Sequence, residues 1–164
     1  STSTSVSLKV AYEYQLDTGP AGYRECFSSS CATVARYWGK IAGDHEYNRV
    51  RRQFGDTTDP KTQILALKTL GLRATFEMEG TAAILENEIR SGFPTPVGWL
   101  HKGPATAPTG SGHWTVVSGE ADMANGGYVN HKGGANIAYS RSNWLRRWLV
   151  DGPESGWYLK VRPI

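Results

Sequence analysis

The sequence predicts an α+β fold, with helices leading and an antiparallel sheet following. Three observations predict it. In the first half, apolar residues recur at helical spacing, with capping residues before them and glycines after them. From Thr95 onward, short apolar or alternating runs dominate, as strands require. Gly- and Pro-rich punctuation separates these runs, and no internal repeat is present. Helices followed by strands make an α+β layout.

Each element has its own local reason. Leu8 to Tyr14 suits a short strand, and residues 17–25 are turn-rich around Gly19-Pro20 and Gly22. Residues 26–38 read as a helix, because Phe27, Cys31, Val34, Ala35 and Trp38 share one stripe and Gly39 closes it. A second helix is expected from Asp44, as N-cap, to Phe54. The third has Asp59 as N-cap, Pro60 at the first helical position and Gly71 after Leu70. Leu72 to Glu77 alternates as a strand. Thr81 caps a fourth helix that ends near Gly92. Strands are then expected at Thr95–His101, His113–Ser118, Tyr128–His131 and Trp157–Arg162, with a short helix near Asn143–Leu149. Lys102 to Gly112 is a loop.

Composition bounds the function. The 164 residues suit one domain over 1–164, with the Ser/Thr tract 1–7 expected to be flexible. Hydrophobic residues make up 39% and charged residues 20%, which excludes a disordered tail and leaves material for a core. No apolar run approaches the roughly 20 residues of a membrane span. A net charge of +3 is too small to suggest nucleic acid, although residues 128–164 hold six basic and two acidic side chains. That local excess suits either an anionic partner or an ordinary solvated face. Arg49, Arg51 and Arg52 read as a solvated helix face. Two cysteines exclude a disulfide scaffold. With no signal peptide, both are expected as thiols in a reducing cytoplasm.

The thiols differ in placement. Cys26 opens a helix, where the dipole lowers a thiol pKa and favours the nucleophilic thiolate. Cys31 lies inside the same helix on its apolar stripe and reads as core. His113 starts a strand directly after a Gly-rich loop, a rim position from which an imidazole can serve a thiol on a facing helix. Metal chemistry is not expected: Cys26 and Cys31 lack a second ligand pair, and there is no His-Glu-x-x-His helix. Nor is there a P-loop or a dinucleotide fingerprint, so no cofactor is implied. Trp99 and Trp114 flank the Gly/Pro loop and suit either a substrate-cleft wall or core packing. Trp144, Trp148 and Trp157 suit packing.

Residues 12–39, YEYQLDTGPAGYRECFSSSCATVARYWG, resemble the N-terminal signature of papain-like cysteine peptidases related to bacteriocin-leader peptidases. Within them the resemblance is greatest to the phage-encoded, lysin-type (endolysin-like) branch. Its features are Gln15 followed by Asp17, a Gly/Pro turn, Cys26 opening a helix, a small-residue run and an aromatic-Gly helix end. Residues 92–117, GFPTPVGWLHKGPATAPTGSGHWTVV, resemble that family's central strand, variable loop and His-bearing strand. The tail from GGYVN to SNWLRRWLVDGPESGW also resembles the phage branch.

This resemblance implies a papain-like fold in which N-terminal helices pack on a twisted antiparallel sheet. It implies a Cys26 nucleophile, His113 as general base and then acid, and Gln15 as an oxyanion donor beside the Cys26 amide. A third member should orient the imidazole. The family's Asn-Asp-Pro tripeptide is missing here, and the candidates for its role are Asn130 on the next expected strand, Asp122 in the loop before it, or neither. The implied activity is amide hydrolysis through a thioester, on the stem or cross-link peptides of peptidoglycan. The enzyme would be made in a host bacterial cytoplasm and act at the cell wall, or be carried in a virion. It is expected to be a monomer, with no nucleic-acid or membrane partner. Two alternatives stand beside it: a peptidase for proteins or leader peptides, and an inactive papain-like wall-binding domain.

Overall fold

A computed structural model describes residues 8–10, 26–100, 102–109, 113–120, 128–130, 137–138, 141–149 and 156–164. Five helices and six strands lie along these residues. They are α1 (Cys26–Tyr37), α2 (Asp44–Arg51), α3 (Pro60–Thr69), β1 (Leu72–Glu77), α4 (Ala82–Arg90), β2 (Thr95–Trp99), β3 (His113–Glu120), β4 (Tyr128–Asn130), β5 (Ile137–Ala138), α5 (Arg141–Trp148) and β6 (Trp157–Pro163). The helices therefore do not simply precede the sheet: β1 lies among them, and α5 interrupts the strands.

Local chemistry accounts for the helix ends. Asp59 accepts the Lys61 amide at 3.0 Å in front of Pro60, and Thr81 accepts the Ile84 amide at 3.2 Å. Gly39 and Gly71 take φ of 72° and 84°, the left-handed turn that stops α1 and α3. Asp44 is a correction. Extended Gly43 occupies the cap position, so Asp44 is the first helical residue and is buried. Glu46 then reaches back to the Ala42 amide at 2.9 Å. The expected Phe54 end also falls short, since α2 stops at Arg51.

The six strands form one antiparallel sheet in the order β1-β6-β2-β3-β4-β5. The first strand thus pairs with the last. Periodicity in sequence reports that a strand exists but not its partner, and the short β5 carries too few residues to show a period. Leu8 to Val10 are not a strand, though the Leu8 amide donates to the Ser118 carbonyl at 2.7 Å. The rest of that expected strand lies outside the described residues.

Side chains alternate across the sheet and feed two cores. One joins Phe27, Cys31, Val34 and Ala35 of α1 to Tyr47, Leu67, Leu72, Trp114, Val116, Leu159 and Val161. The other, on the opposite face, joins Leu85 and Ile89 of α4 and Trp144 and Trp148 of α5 to Val97, Trp99, Val117 and Tyr158. The sheet is thus covered by α1 to α3 on one face and by α4 and α5 on the other. Covering both faces buries every residue of β2, which reads as an apolar run for that reason.

Helix α1 is buried all round, not along a single stripe. Ser28, Ser29, Ser30 and Thr33 are as buried as its apolar residues. Small side chains allow α2, α3 and β3 to approach it closely. Two of their hydroxyls bond within the helix, Ser30 donating to the Cys26 carbonyl at 2.7 Å and Thr33 to the Ser29 carbonyl at 2.8 Å, while Ser28 bonds Thr57 at 2.6 Å. Arg51 also departs from expectation. It is buried, donating to the Gly55 carbonyl and to Asn48, while Arg49 and Arg52 stay exposed.

Candidate active site

Cys26 is the first residue of α1 and is half-buried. His113 is the first residue of β3 and is also half-buried. One ring contact ties these two element starts together. Phe27, next after Cys26, stacks on Trp114, next after His113, with centroids 3.9 Å apart and planes 3° from parallel. Aromatic pairs in general add about 0.5–1.5 kcal/mol to the burial of their two rings.

The Trp114 ring needs room on its other side. It pairs in register with Gly98 of β2, and a Cβ at Gly98 would meet the Trp114 ring at 3.0 Å. Any side chain there would press the indole back by a few tenths of an ångström. Trp99, the next residue, pairs with His113 itself, and their rings lie 6.3 Å apart. Thr115 accepts the Trp99 indole N–H at 2.9 Å. Trp99 and Trp114 retain only 1% and 7% exposure, and their contacts are those of core packing beneath the His113 end of the sheet. The cleft-wall expectation gives way to packing here, because helices cover both faces of the strands that carry them.

Cys31 is fully buried in α1 and hydrogen-bonded to Tyr47. Burial pushes its thiol well above the ordinary value, so it stays protonated. The Tyr47 hydroxyl is raised by burial in the same way. Tyr47 also donates to the Gln63 amide oxygen at 2.5 Å. The Gln63 NH₂ in turn donates to Ser28 at 2.9 Å and to the Thr57 carbonyl at 2.7 Å, and Ser28 and Thr57 share a further bond of 2.6 Å. This buried network holds the first turn of α1, two residues from Cys26, against α2 and α3.

A second support was not legible in the sequence. Arg147 of α5 donates to Asn143 at 2.9 Å, to the Lys102 carbonyl at 3.1 Å and to the Gly103 carbonyl at 2.7 Å. These carbonyls open the segment after β2, which Lys102 and Thr109 close by a pair of backbone hydrogen bonds. Arg147 therefore anchors the connection that leads to His113. Only its spacing of four from Asn143 was visible as a signal, because the loop partners lie 44 and 45 residues away.

Of the remaining expected residues, only Asn130 is among those described. Gln15 and Asp122 lie outside the described residues. Asn130 is on β4, next to β3 as expected, but its register partner is Val117. That is four residues along β3 from His113, or about 13 Å of strand. The register thus places Asn130 on the neighbouring strand without setting it opposite the imidazole. Among the described residues, no three His, Cys, Asp or Glu side chains are grouped to hold a metal, and no helix is long and apolar enough to cross a membrane.

No family model and no curated protein matches the chain by sequence. Solved structures do match it by fold. A double-glycine motif protease from an AMS/PCAT transporter, solved with its leader peptide, superposes with a TM-score of 0.64 at 18% identity, covering 99% of this chain and all of that one. The peptidase domain of Streptococcus ComA, a bifunctional ABC transporter of a quorum-sensing pathway, gives 0.62 at 15% identity, with 98% of each chain covered. A C39-like peptidase from Bacillus anthracis gives 0.69 at 16% identity, with 99% of each covered. The α+β, papain-like architecture expected from the sequence is thereby established as the fold.

Proposed function

We propose that this chain is a cysteine peptidase that cleaves a peptide bond through a thioester, with Cys26 as nucleophile and His113 as acid–base. The observation that carries the reading is the Phe27–Trp114 stack, which joins the helix start bearing Cys26 to the strand start bearing His113. A papain-like fold whose solved neighbours are peptidases supports it.

Chemically, the Cys26 sulfur attacks the scissile carbonyl carbon as its proton passes to His113. Gln15 and the Cys26 backbone N–H donate to the oxyanion. As the tetrahedral species collapses, the C–N bond breaks and the imidazolium gives its proton to the departing amine. Water, deprotonated by His113, then attacks the thioester. The acid leaves and the thiol is restored.

For the substrate, the neighbours favour protein or leader peptides over peptidoglycan. One of them is a double-glycine motif protease solved with a leader peptide, and none of the three is described as a wall hydrolase. The phage-lysin expectation therefore yields to the leader-peptide alternative.

Wild type, Cys26→Ala and Cys31→Ala are to be compared by iodoacetamide labelling and by cleavage of two substrates, a peptide ending its leader in Gly-Gly and purified peptidoglycan. Wild type and Cys31→Ala should label rapidly and cut the peptide, and Cys26→Ala should do neither. Equal labelling of wild type and Cys26→Ala would remove the nucleophile. New amino groups released from peptidoglycan, with the peptide left intact, would return the substrate to the cell wall.

A further inference from the structure

Strand β1 ends the sheet, and its outward backbone N–H and C=O groups have no backbone partner among the described residues. Such an edge is a template for another strand. Grooves lie on both sides of it and meet at Arg73. On the face that α4 and α5 leave open, Arg73, Thr75, Glu77, Lys160 and Arg162 line a groove of about 250 Å³. On the face toward α3, Ile64, Ala74 and Ile164 line a more apolar groove of about 280 Å³, with Lys68 at its margin.

The charges in the first groove are unbalanced. Arg73 and Arg162 stand directly opposite each other on paired strands, a like-charge arrangement that costs stability unless an anion bridges it. Arg162 is engaged by Glu88 of α4, with both carboxylate oxygens within 2.7 Å, and its guanidinium lies 3.8 Å above the Phe93 ring. Glu77 accepts from Thr75 at 3.1 Å. Arg73 and Lys160 have no ion pair among the described residues, and both are exposed.

We infer that the β1 edge is a docking site for an extended peptide of alternating acidic and apolar residues in a partner protein. Side chains of an added strand alternate between the two faces. Its acidic side chains meet Arg73 and Lys160, while the apolar ones enter the groove between Ile64, Ala74 and Ile164. Charge complementarity names the acidic class, and the two unlike grooves name the alternation. The site is independent of the peptidase chemistry: two strands, β6 and β2, lie between the β1 edge and the strand of His113, and the groove occupies the part of β6 remote from Trp157, which sits near the level of His113.

The test uses the full chain and a fluorescent peptide of alternating glutamate and valine, with a lysine–valine peptide as control. Anisotropy should report salt-sensitive binding of the acidic peptide alone. Two exposed charge contacts are together worth about tenfold in affinity, so Arg73→Ser combined with Lys160→Ser should weaken binding by about that factor. Amide exchange at residues 72–77 should slow on binding, and iodoacetamide labelling of Cys26 should be unchanged by the double substitution, which also certifies its fold. Equal binding of both peptides, an unchanged affinity in the double variant, or protection outside residues 72–77 would each overturn the proposal.

Discussion

Phe27 and Trp114 stack face to face, 3.9 Å between centroids, and so join the first turn of α1 to the first residues of β3. The indole is held on its far side by Gly98, where a Cβ would come within 3.0 Å of the ring. Gly98→Ala should therefore push Trp114 toward Phe27 by a few tenths of an ångström. Because small displacements of reacting groups can cost about 100-fold, kcat should fall more than KM rises. Phe27→Leu keeps apolar volume but loses the stack, and should lower kcat while the protein still melts cooperatively. Steady-state kinetics and thermal melts check both, and an unchanged kcat in both variants would remove the stack from any positioning role.

Gln63 is the hub of the buried network under α1. Replacing it with Ala removes the acceptor of the Tyr47 hydroxyl and the donor to Ser28 and to the Thr57 carbonyl, in a site closed to water, while the Ser28–Thr57 bond remains. Unsatisfied buried groups cost about 1–3 kcal/mol each, so Gln63→Ala should lose about 2–4 kcal/mol in urea unfolding. A loss below 0.5 kcal/mol, on the order of an ordinary surface substitution, would mean that water takes Gln63's place.

Cys31 and Tyr47 make stability sensitive to alkali. Both carry pKa values raised by burial above their ordinary 9.0 and 10.0. The unfolded chain therefore releases these protons first. The stability they confer is complete below pH 9.0 and declines as the pH rises past that value toward the higher folded pKa values. Urea midpoints measured across this range should fall for wild type and fall less steeply for Cys31→Ala. Parallel slopes for the two proteins would show that Cys31 ionises alike in both states.

Asn130 stands opposite Val117, so about 13 Å of strand separates its level from His113. Asn130→Ala should keep kcat/KM within about tenfold of wild type, against a loss of several orders of magnitude for His113→Ala. A pH–rate profile shifted by Asn130→Ala would instead identify it as the group that orients His113.

Elements whose signals are local were legible in the residues themselves. Asp59-Pro60 before an apolar period, Thr81 before Ala82, and glycines after Tyr37 and Leu70 mark helix ends because caps and left-handed turns act within a few residues. The separation of the two thiols was legible for the same reason: a position at a helix start and a position on its buried stripe are both counts along one chain. Helix α1 shows where such counting stops, since Ser28 and Ser29 lie off its apolar stripe yet are buried as fully as the stripe itself.

By itself, then, the sequence determined the class of elements, the papain-like resemblance and the two residues of the proposed chemistry. Tertiary structure alone decided that β1 pairs with β6, that α4 and α5 cover the second face, that Trp99 and Trp114 are core, and that Arg147 holds the segment before His113. It also decided the register that carries Asn130 to Val117. The physical reason is one of range. Caps, periods and turns involve groups a few residues apart, whereas strand pairing and buried donors join residues tens of positions apart and depend on which surfaces meet. No count along the chain carries that information.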